Sequence, residues 1–243
     1  MSTPPLFFLD ALPADDHVLL TGDEGRHAAR VKRIGVGENV LIGDGTGTLL
    51  DCVVSEVRAD GLRLAVRTRR VVAEPEPRIV VVQALPKGDR AELAVEVMTE
   101  LGVDEIIPWS AARSITQWQG PRGEKALVRW RRIAHEAAKQ SRRARVPSIA
   151  GLATTAQVVA RMAAAASFVL HESATAPMAT AALPVTGEIV TLIGPEGGVS
   201  DEELDRFLAA GAVAVHLGEP VLRTSTAGGA VLAALSVRLN RWA

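Results

Sequence analysis

Ile193-Gly194-Pro195-Glu196-Gly197-Gly198-Val199-Ser200 and Leu217-Gly218-Glu219-Pro220-Val221-Leu222-Arg223-Thr224-Ser225-Thr226 are the two stretches on which the reading of this chain turns. Each follows a short apolar run, Glu188 to Ile193 and Ala212 to Leu217, that reads as a buried strand. Each then leads into a helix with a polar start. A glycine-dense turn after a buried strand lets backbone come close to a ligand, because no Cβ stands in the way. Two such turns in one sheet place two ligand-ready loops at the same strand edge, where open α/β sheets bind ligands. A tight turn with no ligand is the plainer reading of either loop alone. The pair, one strand and one helix apart, is more specific.

Working outward, the chain before these loops alternates strand and helix. Ile79 to Leu85, Glu105 to Trp109 and Ser167 to Leu170 read as strands. A helix is predicted from Asp89, with Glu92 as capping-box partner and Gly102 as the stop, and a long one from Gly123 to about Arg143. Ser200 with Glu203 caps the helix after the first loop, Gly211 ends it, and Thr224 or Ser225 caps the last helix. The alanine-rich Ala150 to Ala166 reads as helix. Such alternation predicts a mostly parallel sheet with helices on both faces.

Residues from about 6 to 70 read differently, as all-β. Val18 to Leu20, Asn39 to Ile42, Thr48 to Val57 and Leu62 to Thr68 are β-rich, with Asp44-Gly45-Thr46-Gly47 and Asp60-Gly61 as hairpin signals. A short basic helical patch, Glu24 to Arg33, lies between the first two strands. Close-set short strands suggest a small barrel of a kind that often carries nucleic acid. Ala73-Glu74-Pro75-Glu76-Pro77 reads as a linker. The domains expected are residues 1–72, a β-barrel, and 73–243, the α/β domain.

Composition bounds the function. The chain of 243 residues carries a formal net charge of −1, so it is not basic all over. Its positive charges cluster, however: Arg129, Arg131, Arg132, Lys139, Arg142, Arg143 and Arg145 face only Glu136 over one stretch. A run of one sign points to phosphate binding more than to a solvated face. The single cysteine, Cys52, excludes an internal disulfide and a Cys-rich zinc site, and the five histidines show no metal-ligand spacing. No metal is expected. No apolar segment approaches the roughly 18 residues of a membrane span, and the start lacks a secretory pattern, so a cytoplasmic location is expected. Gln83-Ala84-Leu85-Pro86-Lys87-Gly88-Asp89 is neither a dinucleotide fingerprint nor a phosphate loop. A ligand at Gly194 to Gly198 would be gripped by backbone groups reading a flat, uncharged ring. His171-Glu172 ends a strand at the same edge, where it either satisfies a local hydrogen bond or lines the pocket. Arg223 is either a surface charge or a group that stabilises an anion.

Ile193 to Gly198 together with Val221-Leu222-Arg223-Thr224-x-Thr226-Ala227 resembles the bacterial small-subunit ribosomal RNA uridine-N3 methyltransferases, of the knotted SPOUT superfamily. The resemblance extends through Leu85 to Arg90, Thr99 to Val103, Ala111 to Ser114, Glu136 to Arg143 and, near the start, His27 to Arg33 and Asp44-Gly45-x-Gly47. It implies a PUA-like barrel, an α/β domain with a trefoil knot, S-adenosylmethionine bound bent in that knot, and a homodimer. The substrate implied is 16S ribosomal RNA or the small ribosomal subunit. Carried over by position, the cofactor sits against Leu170, Gly194, Glu196, Gly198, Leu217, Leu222 and Thr224, with His171 and Gly218 beside them. Arg223 is the expected catalytic residue. RNA contacts are expected from His27, Arg30, Lys32 and Arg33, from Lys87, Arg90 and Arg113, and from Lys139, Arg142 and Arg143. Many members carry Glu where this chain has Ser225, and Leu6-Phe7-Phe8 stands where a basic residue is common. A SPOUT enzyme methylating a ribose 2′-hydroxyl in transfer or ribosomal RNA is the alternative of the same class. A non-catalytic RNA-binding assembly factor is the alternative of another.

Overall fold

The computed structural model describes residues 3–88 and 90–242; the helix start expected at Asp89 lies outside the described residues. The chain divides into two compact units. One comprises residues 1–74 with 138–146, the other residues 75–137 with 147–243.

The first unit is a five-stranded sheet of β1 (Leu6–Phe8), β2 (His17–Leu20), β3 (Asn39–Gly43), β4 (Thr48–Arg58) and β5 (Gly61–Val71), in the order β1-β3-β4-β5-β2. β1 runs parallel to β3 and the other pairs are antiparallel. Along β4 burial alternates, with Leu50, Cys52 and Val54 buried while Asp51, Val53 and Ser55 are not. At the β1–β3–β4 end the other face is covered too, where Leu6, Phe8, Leu41 and Leu49 pack with Ala138 and Ala144. Both edge strands feed the same core, with Phe7 from β1 and Val18 and Leu20 from β2 packed among Ile42, Leu50 and Leu64. Helix α1 (Gly22–Arg26) continues into a π-helical turn, His27–Val31, that adds Ala28 to that core. The Asp44 carboxylate organises the β3–β4 hairpin by accepting the Thr46 and Thr48 amides at 2.7 and 3.0 Å. Burial pushes its pKa up, but these hydrogen bonds outweigh burial and hold it below the usual value. Residues 138–146 join this unit through backbone: Gly47 donates to the Ala144 carbonyl and Val146 to that of Gly45.

The second unit is a sheet of seven parallel strands: β6 (Arg78–Ala84), β7 (Glu105–Trp109), β8 (Ser148–Ile149), β9 (Ala166–Leu170), β10 (Ala176–Pro177), β11 (Glu188–Ile193) and β12 (Val213–His216). Their order is β10-β12-β9-β11-β6-β7-β8. The central strands are apolar on both sides, with Ile79, Val80, Val81 and Val82 all at 0% exposure, as burial between two helical layers requires. On one face Val81, Ile79 and Ile189 meet α2 (Arg90–Glu100), α3 (Gly120–Gln140) and α6 (Thr224–Arg238) through Met98, Trp130, Val231 and Leu235. On the other, Val80, Val82 and Val190 meet α4 (Thr155–Met162) and α5 (Asp201–Ala209) through Val158, Met162 and Phe207. At the amino ends of the strands, Arg78 and Arg161 pair with Glu188 at 2.8 Å each, and Arg161 also with Glu105 at 3.0 Å.

Two expectations change. The alanine-rich stretch is helical only over α4, because Ser148–Ile149 pairs with β7 and Ala166 already pairs with Ile189. The last helix begins at Thr224 with Arg223 as its N-cap and no side-chain cap. Thr224 and Ser225 are buried inside the first turn of the helix, and neither stands at the N-cap position.

Candidate active site

At the carboxyl ends of β9, β11 and β12 lies a cavity of about 580 Å³. Because β9 pairs with both β11 and β12, the loops that leave these three strands are neighbours. Its apolar wall is Leu170, Ile193, Val199, Val215, Leu217, Leu222 and Ala227. Its polar side presents Arg90, His171, Glu172, Glu196, His216, Glu219, Arg223 and Thr224.

The first glycine loop is braced on every side. Gly198 sits at φ +73, a conformation that favours glycine, and donates to the Pro195 carbonyl at 2.9 Å. Glu196 accepts the backbone N–H of Lys87 at 3.1 Å, tying the loop to the one that follows β6. Behind it, Ser200 and Glu203 form a capping box at the start of α5. Glu203 is only 5% exposed, and its Oε1 also accepts the Ala112 amide at 2.8 Å and the Thr155 hydroxyl at 3.0 Å. One buried carboxylate therefore joins the first loop to the loop after β7 and to α4. Arg113 adds a bond from Nη1 to the Val199 carbonyl at 3.4 Å.

The second loop is set by backbone and by one histidine. The amide of His171 donates to the Val215 carbonyl at 3.0 Å, and His216 Nδ1 accepts the Gly218 amide at 3.1 Å. That acceptor role places the proton of a neutral His216 ring on Nε2. The Arg223 side chain is exposed at the cavity while its carbonyl accepts the Thr226 amide at 2.9 Å and the Thr226 hydroxyl at 3.2 Å. Ser225, 5% exposed, does not line the cavity.

The residues read from the sequence as a cofactor site (Leu170, His171, Gly194, Glu196, Gly198, Leu217, Gly218, Leu222 and Thr224) all line this one cavity, with Arg223. Arg90, assigned to RNA, lines it too. Glu172 also lines the cavity, as the sequence allowed for the His171-Glu172 pair; His216, at the end of β12, and Glu219, inside the second loop, line it without having been singled out.

The remaining expected RNA contacts are scattered. In the second unit, Lys87 is exposed beside the first loop and Arg113 braces it. In the first, His27 is half-buried at the π-helical turn, Arg30 donates to the Ala59 carbonyl at 3.3 Å, and Lys32 and Arg33 are exposed. Much of the basic run has intramolecular work. Lys139 pairs with Glu24 at 2.8 Å, and Arg142 donates to the Pro4 and Thr3 carbonyls at 3.0 and 3.1 Å. Arg145 bonds the Val72 carbonyl and Glu74, Arg129 pairs with Glu92, and Arg143 is half-buried. The partners are distant in sequence, which is why spacing along the helix could not reveal them. Arg132 is exposed. Among the described residues no cluster of His, Cys, Asp and Glu could hold a metal ion, and no helix is long and apolar enough to cross a membrane.

A family model described as an RNA methyltransferase domain matches residues 74–236, and one described as an RNA methyltransferase PUA domain matches residues 20–66. Ribosomal RNA small subunit methyltransferase E of Mycobacterium tuberculosis is 46% identical, over 98% of this chain and 93% of that protein. Its counterpart in Bacillus subtilis is 30% identical, over 89% and 88%. A crystal structure of the Neisseria gonorrhoeae ribosomal RNA small subunit methyltransferase E, bound to S-adenosyl methionine, superposes with a TM-score of 0.85 at 27% identity, covering 97% of this chain and 98% of that one.

Proposed function

This chain belongs to the family of ribosomal RNA small subunit methyltransferases E, an RNA methyltransferase domain preceded by a PUA domain, and from that premise we propose that it methylates N3 of one uridine in 16S ribosomal RNA, using S-adenosylmethionine. The observation that carries the reading is the single cavity walled by both glycine loops. Its volume lies in the range of small-molecule sites, and its chemistry fits this cofactor. The apolar wall with the backbone of Gly194, Gly198 and Gly218 suits a flat adenine. Glu172, Glu196 and Glu219 suit the cofactor's cationic groups.

When bound, the cofactor supplies an electrophilic methyl group on a sulfonium sulfur. Everything else falls to the chain. The two loops fix the orientation of the reacting partners, which is where a large share of such rate enhancement arises. Uracil N3 must lose its proton to become nucleophilic, and negative charge then builds on the ring. Arg223, exposed at the cavity from the N-cap of α6, is the group assigned to stabilise that charge. Ser225 is 5% exposed and does not line the cavity, and no role in the proton transfer is assigned to it. Because N3 lies on the pairing edge, the uridine reacts unpaired or extruded from its helix. Surrounding phosphates are held by the exposed Lys32, Arg33, Lys87 and Arg132 more than by Lys139, which pairs with Glu24, or by Arg142, whose guanidinium donates to two backbone carbonyls.

The same reading includes a trefoil knot and a homodimer in the cytoplasm. β12 is separated from β6 by β9 and β11, yet α6 begins against Gln83 of β6, so the chain after β12 crosses back over the strand ends. That crossing supports a threaded chain. Exposed Leu93 on α2, Val237 near the end of α6 and Trp242 beyond it are apolar surface that a second copy would cover. Methyl transfer to small ribosomal subunits lacking the modification, followed by nucleoside analysis, tests the activity. N3-methyluridine is the expected product; a 2′-O-methylated nucleoside would move the assignment to the sugar.

A further inference from the structure

We infer that Gln83 is a positioning residue that joins the two glycine loops and sets Arg223 and Thr224 in place for methyl transfer; the inference rests on the methyltransferase reading of the cavity. Gln83 lies on β6 with 0% exposure, opposite Ile193, the last residue of β11 before the first loop. Its Nε2 donates to the Ala84 carbonyl at 2.9 Å and to the Thr224 carbonyl at 3.3 Å. Thr224 opens α6, and Arg223 directly before it has no side-chain cap. A hydrogen bond from the floor of the first loop therefore holds the carbonyl of the first residue of α6, where no side chain caps the helix.

The opposite end of the amide shows why the residue is unusual. Gln83 Oε1 is buried with no hydrogen-bond partner. Turning the amide over would face oxygen with two carbonyls, so the orientation is determined. Gly228, one turn into α6, lets the helix lie this close: a Cβ there would stand 2.6 Å from Met98 Sδ and 3.4 Å from Gln83 Oε1. An orphaned buried acceptor lowers stability, and an apolar side chain of the same shape would remove that cost. Gln83 is thus a poor choice for packing and a good one for holding the start of α6.

The test is the full chain with Gln83→Met, and with Gln83→Leu as a second shape. Three quantities are measured: melting temperature, affinity for S-adenosylmethionine by calorimetry, and single-turnover methyl transfer to unmodified small subunits at saturating cofactor. The expected result is a melting temperature unchanged or raised, with a transfer rate lower by about 10- to 100-fold, the scale of a small misplacement of reacting groups. Transfer within about twofold of the parent overturns the inference, and so does a loss of rate that appears only with a lowered melting temperature in both variants. If the parent chain itself transfers no methyl to subunits, the proposed function fails separately. Calorimetry then decides for Gln83: an affinity several-fold weaker in both variants supports it, and an unchanged affinity overturns it.

Discussion

Arg223 illustrates how one exposed side chain acquires a role from its address. It is the N-cap of α6, its backbone is held by Thr226, and the residue is exposed where it lines the cavity. Replacing it by Ala should leave the melting temperature nearly unchanged, because little packing is lost. Turnover should fall by about 100- to 1000-fold, the loss typical of removing one preorganised charge-stabilising donor. A rise in the KM for RNA with kcat intact would instead make Arg223 a phosphate contact. Cys52 shows the opposite case, a reactive group that the fold silences. Burial above all, with the neighbouring Asp51 charge, pushes its thiol from 9.0 to about 11, against a smaller opposing pull from Arg69. Its folded pKa is raised, so its contribution to stability is present below 9.0 and is lost as pH rises toward 11. Thiol-reactive dye at pH 8 should therefore leave the folded chain unlabelled and label it fully in denaturant; rapid labelling of the folded chain would contradict the burial.

At the scale of elements, the loops work because other elements hold them. Glu203 connects α5, the loop after β7 and α4 through one buried carboxylate. Glu203→Ala should cost about 2–4 kcal/mol in urea unfolding, since it leaves the Ala112 amide and the Ser200 cap without their partner. Affinity for S-adenosylmethionine should fall with it, measured calorimetrically below the unfolding range; unchanged affinity would show that the first loop does not depend on this brace. The strands of the second unit were legible because parallel strands buried on both faces are written as continuous apolar runs. The two-residue strands Ser148–Ile149 and Ala176–Pro177 were not, because so short a pairing leaves no periodicity. The glycine loops were legible from composition alone, whereas Gln83 joins them only through strand order. The surroundings of the basic helix were not legible: nothing in its own sequence says that Lys139 meets Glu24 or that Arg142 meets the Thr3 and Pro4 carbonyls.

For the whole molecule, the two units divide the work that a site-specific RNA methyltransferase requires. The second builds one cavity at the carboxyl edge of a parallel sheet and brings every expected cofactor residue to it. The first offers a compact sheet with exposed Lys32 and Arg33 near its π-helical turn. Neither the near-neutral net charge nor the fold class names the reaction. What names rRNA methylation is membership of this family; the cavity walled by two backbone-lined loops with an arginine is compatible with it. The central claim is therefore chemical, that a methyl group goes to a uracil ring nitrogen of the small-subunit RNA. The most direct measurement incubates the chain with labelled S-adenosylmethionine and small ribosomal subunits lacking the modification, digests the RNA and identifies the labelled nucleoside by mass spectrometry. The expected result is label in N3-methyluridine, at one site per subunit. Label in any other nucleoside, or cofactor binding with no transfer to these subunits, would contradict it.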